Sequence, residues 1–257
     1  MNSKFVILLA LASICAAQKD AVVDMELMTY PETFSAIHEH GKTTVLIYNG
    51  GTEQRGPHAV LGGHTFIARR AAEAIAQRLG NALVAPVLPI APAGSHLNPK
   101  WPGSIDLPTD LYVKVNEAMV TSMVTNGFRN IILMGDHGGG QKELAALAGR
   151  LNARYAPRGV HVYFCGAVYK KTQDDFNVWL KQNNYPLSVH AGIPDTSQLM
   201  YLGGGAWVRK DKMAAGNGSN GVTGDPRRST PELGKRYFDL KVANAVEEIQ
   251  HLIASGR

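Results

Sequence analysis

Cysteine is scarce: the 257 residues contain two, Cys15 and Cys165. A scaffold held by disulfides is therefore excluded, and stability has to come from a core. Charge is thin at 18% of residues, and aromatics reach only 7%. With 45% apolar residues the chain can still bury a core, which excludes wholesale disorder. Beyond the first twenty residues no window approaches the roughly 18 consecutive apolar residues of a membrane-spanning helix. Coiled-coil and collagen-like repeats are absent as well. The length suits one large domain. Lys and Arg total 26 against 21 Asp and Glu, a formal net charge of +5. These charges are scattered and no nucleic-acid-reading motif accompanies them, so no nucleic-acid partner is expected.

The first residues stand apart. Lys4 precedes the apolar run Phe5 to Ala12, mostly small residues follow to Ala17, and Gln18-Lys19-Asp20 turns polar. That order describes a secretory signal peptide over residues 1–17, cut after Ala17. The remaining chain, 18–257, would be exported, periplasmic or secreted. It would keep Cys165 alone, and losing Lys4 would take the net charge from +5 to +4.

Strands and helices alternate along the rest. Residues 43–48 (TTVLIY) form a β-branched apolar run closed by Asn49-Gly50-Gly51. Ile67, Ala71, Ile75 and Leu79 share one helical face, and Gly80-Asn81 stops it. Strands are expected at 82–88, 130–134 and 160–168, and helices at 109–126, capped by Thr109 or Asp110, and at 141–155. The segment Ser229-Thr230-Pro231-Glu232 combines a capping box with an early proline and opens a last helix, whose stripe is Val242, Val246, Ile249 and Ile253. Such alternation predicts an α/β fold with a mostly parallel central sheet and helices on both faces. Ligands bind at the carboxyl ends of strands in folds of this kind.

Several chemical motifs are missing: His-Glu-x-x-His, Cys-x-x-Cys and a phosphate-binding Walker loop. Residues 216–221 match G-x-G-x-x-G, but they follow a charged loop and open no helix, so the match is accidental. The sequon Asn217-Gly218-Ser219 matters only in a eukaryotic host. What stands out is a density of metal-type ligands in two turns. Glu53, His58 and His64 lie in a segment too rich in Gly and Pro for regular structure. His64 would start a helix, whose dipole favours a neutral ring, and His137 follows the next strand. Two histidines and a carboxylate with an open position describe a hydrolytic metal site. Spacing alone leaves open that these are ordinary polar loop residues.

The same residues carry a resemblance. The run from Gly51 to His64 (GTEQRGPHAVLGGH) resembles the opening motif G-S-x-E-Q-H-G-P-H-L-P-L-G-x-D of the creatininase (creatinine amidohydrolase) family. Four later blocks agree in order. His96 with Trp101-Pro102-Gly103-Ser104-Ile105 is similar to H-x-x-F-P-G-T-I, and residues 135–140 (GDHGGG) to N-G-H-G-G-N. Residues 190–197 (HAGIPDTS) are similar to H-A-G-E-x-E-T-S, and residues 221–226 (GVTGDP) to G-V-x-G-D-P. The resemblance spans about 28–250 and implies a three-layer α/β/α sandwich. It also implies a divalent metal centre that hydrolyses amide bonds, often cyclic ones, in a homo-oligomer, commonly a hexamer.

Carried over residue by residue, Glu53 and His137 match metal ligands. His64 stands where the family has an aspartate bridging two metals, and Arg55 replaces a histidine ligand. An arginine stays protonated and cannot ligate. Ile193 replaces one Glu of the fourth block, while Asp195 keeps an acid at the other. The resemblance therefore implies a mononuclear site of Glu53, His64 and His137, with Asp195 as a further ligand. One zinc per chain suits it, with manganese or iron as alternatives. His190 and Asp195 are the candidate proton shuttles, and Arg55, His58, His96 and Trp101 the candidate substrate contacts. His38, His40, His161 and His251 match no block. The expectation is an exported metal-dependent amidohydrolase acting on a small-molecule C–N bond other than a peptide bond. The alternative is a degenerate relative that binds a small molecule without hydrolysing it.

Overall fold

Strand β1, Thr44–Asn49, is buried at every position, and its side chains alternate between two cores. Val45 and Ile47 point to one face and Leu46 and Tyr48 to the other, the period-two pattern of a strand covered on both sides. The structure is a computed structural model and describes residues 22–256. The expected signal peptide at 1–17 lies outside the described residues.

Beside β1 lie β2 (Ala82–Val84) and β3 (Asn130–Gly135), and β4 (His161–Phe164) follows β3. The order is β2-β1-β3-β4 and every pairing is parallel. The described residues form seven α-helices: α1 Tyr30–His38, α2 Gly63–Leu79, α3 Thr109–Thr125, α4 Gln141–Tyr155, α5 Thr172–Gln182, α6 Ile193–Gly203 and α7 Pro231–Ser255. Helices α2 and α7 cover the Leu46 face, with Ala71, Ile75, Val242 and Ile249 buried there. Helices α1, α3 and α4 cover the Ile47 face, through Ile37, Tyr112, Val120, Leu144 and Leu151. The result is the expected α/β/α sandwich, each buried large aliphatic side chain contributing about 1.5–3 kcal/mol. Among the described residues no helix is long and apolar enough to cross a membrane.

Several boundaries differ from expectation for local reasons. β2 stops at Val84 instead of 88, because Pro86 has no N–H to give the ladder; Leu88 rejoins β1 through a single bridge to Asn49. The strand expected to reach 168 ends at Phe164, and one π-helical turn, Ala167–Lys171, leads into α5. The Thr109 or Asp110 cap is displaced, since Pro108 precedes the first helical residue of α3. Helix α7 is capped by Thr230, which accepts from the Leu233 N–H at 3.2 Å, rather than by Ser229. The Gly216–Gly221 run opens no helix, and the next one, α7, begins only at Pro231.

From β1 the chain order runs outward to β2 on one side, and from β3 to β4 on the other. The crevice between the carboxyl ends of β1 and β3 is thus the switch point of the sheet. Glu53 follows β1 and His137 follows β3.

Candidate metal centre

The loop after β3 is glycine-rich because another loop passes against it. A Cβ at Gly139 would lie 2.1 Å from the Pro92 carbonyl oxygen, so only glycine lets the 89–96 loop approach His137. That approach brings His96 to the cavity. After β1 the chain turns back to α2, whose first residue, Gly63, faces the Arg55 side chain; His64 is next.

Glu53, 2% exposed, is the centre of the arrangement. Its Oε1 lies 2.9 Å from His64 Nε2 and 3.6 Å from His190 Nδ1. Its Oε2 lies 2.7 Å from His137 Nε2 and 3.7 Å from His96 Nε2. Two donor trios result, Glu53–His64–His137 and Glu53–His96–His190, each with its ligand atoms within 4.8 Å of one another. They share Glu53. The second trio was not expected from the sequence, which placed His96 with the substrate and His190 with proton transfer.

Neighbours hold these rings in place. His64 Nδ1 donates to Asp136 Oδ2 at 2.8 Å, which turns Nε2 toward Glu53. Asp136 also accepts from Lys241 Nζ and, at 3.1 Å, from the Tyr48 hydroxyl. A carboxylate behind a histidine is the usual support of a metal-bound imidazole. His190 Nε2 donates to the Gln54 carbonyl at 2.8 Å, leaving the Nδ1 lone pair toward Glu53. The Gly139 N–H donates to His137 Nδ1 at 3.0 Å, so in this arrangement Nε2–H donates to Glu53. A metal held by His137 Nε2 would take the place of that proton, as metal uptake by histidine does generally.

The charges follow from these contacts. Burial alone would raise the Glu53 carboxyl, but hydrogen bonds from His137 and His64, with Arg55 nearby, hold it far below the usual carboxylate range. Burial opposes Asp136 in the same way, and Lys241 and His64 outweigh it. Burial pushes His190 down to about 4, so the ring is neutral at pH 7. His64 departs from expectation. Burial and Arg55 lower it, yet the bonds to Asp136 and Glu53 prevail and raise it. The helix dipole is outweighed by two carboxylates within hydrogen-bond distance.

A cavity of about 480 Å³ opens over the cluster, lined by Glu53, His64, His96, His137, His190 and Asp195, among others. Three expected substrate contacts do not line it. Arg55 is 0% exposed and lies behind the carboxylates, 3.8 Å from Glu53 Oε1 and 3.5 Å from Asp195 Oδ1. It pairs with these acids, so it cannot reach a substrate without leaving them. His58 is fully buried, its Nε2 2.9 Å from Thr196 Oγ1 on α6. Trp101 donates its indole N–H to the Ser219 carbonyl at 2.9 Å and borders a separate shallow pocket. Asp195 lines the cavity but joins neither donor trio, because Oδ2 accepts from the Ala191 N–H and Oδ1 faces Arg55.

Asp136, Lys241, Tyr169 and Tyr237 also line the cavity and were not singled out from the sequence. Asp136 stood beside His137 in the glycine block. Lys241 had a subtler signal: it falls in the row Tyr237, Lys241, Ala245, Ile249, four apart on the buried face of α7. A lysine there needs an acidic partner.

The donor set fits a divalent ion. Two imidazoles and a carboxylate converge on a cavity wall, and His64 has the acidic support that zinc ligands usually have.

Comparison with known proteins agrees with this geometry. The chain is 25% identical over 240 residues to the mycofactocin precursor peptide peptidase of Mycobacterium tuberculosis (strain CDC 1551 / Oshkosh), covering 80% of this chain and 84% of that protein. The peptidase of the same description from Mycolicibacterium smegmatis is 25% identical over 232 residues, with the same coverage. In fold the chain is similar to a manganese form of creatininase, with a TM-score of 0.73, 17% identity, and 90% of this chain and 98% of that one covered. A zinc–zinc form of a creatininase variant gives the same TM-score, identity and coverage. A putative creatinine amidohydrolase from Bacteroides fragilis NCTC 9343 gives 0.65 and 19% identity, over 90% of this chain and 96% of that one. The sequence profile of creatinine amidohydrolase matches residues 26–249, and with that the chain belongs to the creatininase family, whose activity is metal-dependent amide hydrolysis.

Proposed function

We propose that this protein is an exported amidohydrolase that cleaves a C–N bond of a small amide, cyclic or open, with zinc held by Glu53, His64 and His137. The observation that carries the reading is the convergence of these three donors on the wall of one cavity at the sheet's switch point. When bound, a divalent ion supplies Lewis acidity, acidifying water and polarising a carbonyl.

The chain's own residues supply the rest. Glu53 stays ionised and, with Asp136 behind His64, keeps the donors oriented. His190, neutral and lining the cavity with its Nε2 tied to the Gln54 carbonyl, can take a proton on Nδ1 and pass it to the leaving nitrogen. Asp195 stays ionised against Arg55 and can accept hydrogen bonds from the substrate on the same wall. Tyr169 and Tyr237 stay protonated, because burial and the neighbouring carboxylates raise both phenols, and they offer O–H donors at the cavity. A cavity of about 480 Å³ suits a small molecule or a few peptide residues.

Export is supported by the order Lys4, Phe5 to Ala12, Ala17. A homo-oligomer is suggested by membership of the creatininase family, whose members commonly form one. The test is a zinc- or manganese-loaded screen over lactams, cyclic amides and short peptides. Amide cleavage that disappears in His64→Ala is the expected result. A metal-loaded chain that hydrolyses none of them would defeat the hydrolase reading.

A further inference from the structure

The fixed charge beside the donors can be counted. Three carboxylates, Glu53, Asp136 and Asp195, stand against two cations, Arg55 and Lys241. With the histidines neutral, as ligation requires, that leaves −1. One divalent ion brings the centre to +1 and a second to +3. An excess of that size among buried groups has no counterion in the cavity wall and is strongly disfavoured.

Donor atoms alone would not set this limit, because the Glu53–His96–His190 trio offers a second seat beside the first. Arg55 stands against it. Glu53 Oε1 faces His190 Nδ1 at 3.6 Å, and the same oxygen faces Arg55 Nη2 at 3.8 Å. Arg55 Nη1 also draws Asp195 Oδ1, at 3.5 Å, a further carboxylate of the same cavity wall. None of the guanidinium nitrogens makes a hydrogen bond among the described residues. Arg55 therefore acts as a charge, not as a clamp on one neighbour.

We propose that Arg55 is an internal cation that holds this centre to one divalent ion, by occupying the negative charge of Glu53 and Asp195 that a second ion in the Glu53–His96–His190 seat would need. The proposal rests on reading the centre as a metal site. It makes Arg55 a positioning residue, since it acts through the two carboxylates.

The experiment counts metal and needs no substrate. The purified chain and its variants are dialysed to equilibrium against Zn²⁺, freed of loose ions and assayed for zinc per chain, with circular dichroism as the check of folding. Titration with Co²⁺, followed by its visible absorption, gives an independent count. One equivalent is expected in the wild type and in Arg55→Lys, which keeps the charge. Two are expected in Arg55→Gln, and one again when His96→Ala is added to it. Arg55→Met, a second neutral variant, is read in the same way should Arg55→Gln fail to fold. Two equivalents in the wild type, or one in a folded neutral variant, would overturn the role of Arg55 and leave the metal site standing. A wild-type chain that takes up no metal would overturn both.

Discussion

A single methyl group at Gly63 tests whether Arg55 is held as tightly as its position implies. An alanine Cβ there would lie 2.8 Å from Arg55 Nε, 2.9 Å from Cδ and 3.2 Å from Cζ. Ordinary non-bonded contacts between such atoms are about 3.5–4.0 Å. The guanidinium is 0% exposed and lies between two acids, so it cannot swing into water. Overpacking of this kind costs about 1–3 kcal/mol. Against it stands a helix-propensity gain of up to ~1 kcal/mol, smaller at the first residue of α2. The net is a loss of about 1–2 kcal/mol, or about 2–8 °C in Tm for a chain of this size. Calorimetry and urea unfolding of Gly63→Ala measure it. The decisive arm is a double-mutant cycle with Arg55→Ala, which removes the obstacle at its own cost. In that background Gly63→Ala should be neutral or stabilising, giving a coupling of about 1–3 kcal/mol. Equal costs in both backgrounds would refute the steric argument. A loss of zinc affinity should accompany the strain in the single variant, since His64 is the next residue of the helix.

Three further outcomes are expected. His190 is pushed down to about 4 in the fold, against about 6.5 unfolded, so below 6.5 the unfolded chain binds the extra proton. Metal-free stability should therefore fall between about pH 6.5 and 4, by up to about 3 kcal/mol, and His190→Gln should flatten that slope. His64 is raised instead, and its contribution is lost above 6.5, so the two windows do not overlap. Equal slopes in wild type and His190→Gln would contradict the assignment. Asp136→Asn should weaken zinc binding about tenfold to a hundredfold, read by competition with a chelating dye; an unchanged affinity would show that Asp136 does not support His64. Mass spectrometry of the native protein should find a start at Gln18, and an intact Met1 would rule out export by this route.

The layering of the fold was readable because burial leaves a period. β1 reads as a continuous apolar run since both of its faces are covered, and the rows on α2, α4 and α7 repeat at helical spacing. Helix α6 was hidden because it is buried along most of its length, and it mixes Thr196, Ser197 and Gln198 with Leu199 and Met200. A helix buried around its circumference has no polar face to set a period. Helix α5 was hidden by the π-helical turn before it, which reads as an extension of the β4 strand.

The site divides in the same way. Glu53, His64 and His137 were legible because each stands in a glycine-rich turn at a strand or helix end, where side-chain type and local geometry coincide. Arg55 was misread for a reason of direction. A Gly-rich loop beside a ligand places a residue near the metal pocket, but the sequence does not say whether it faces the cavity or the protein behind it. Two acids decide that, and Asp195 comes from α6, 140 positions later in the chain. Lys241 and Asp136 show the limit more sharply, since their contact joins residues 105 apart. Through that contact α7 is tied to the back of His64, so a helix far along the chain supports a candidate ligand that follows β1. With an ion held by His64 as proposed, metal affinity and the docking of α7 are coupled. Whatever loosens α7 from the sheet must weaken the ion's hold, and a bound ion must stabilise the α7 interface in return.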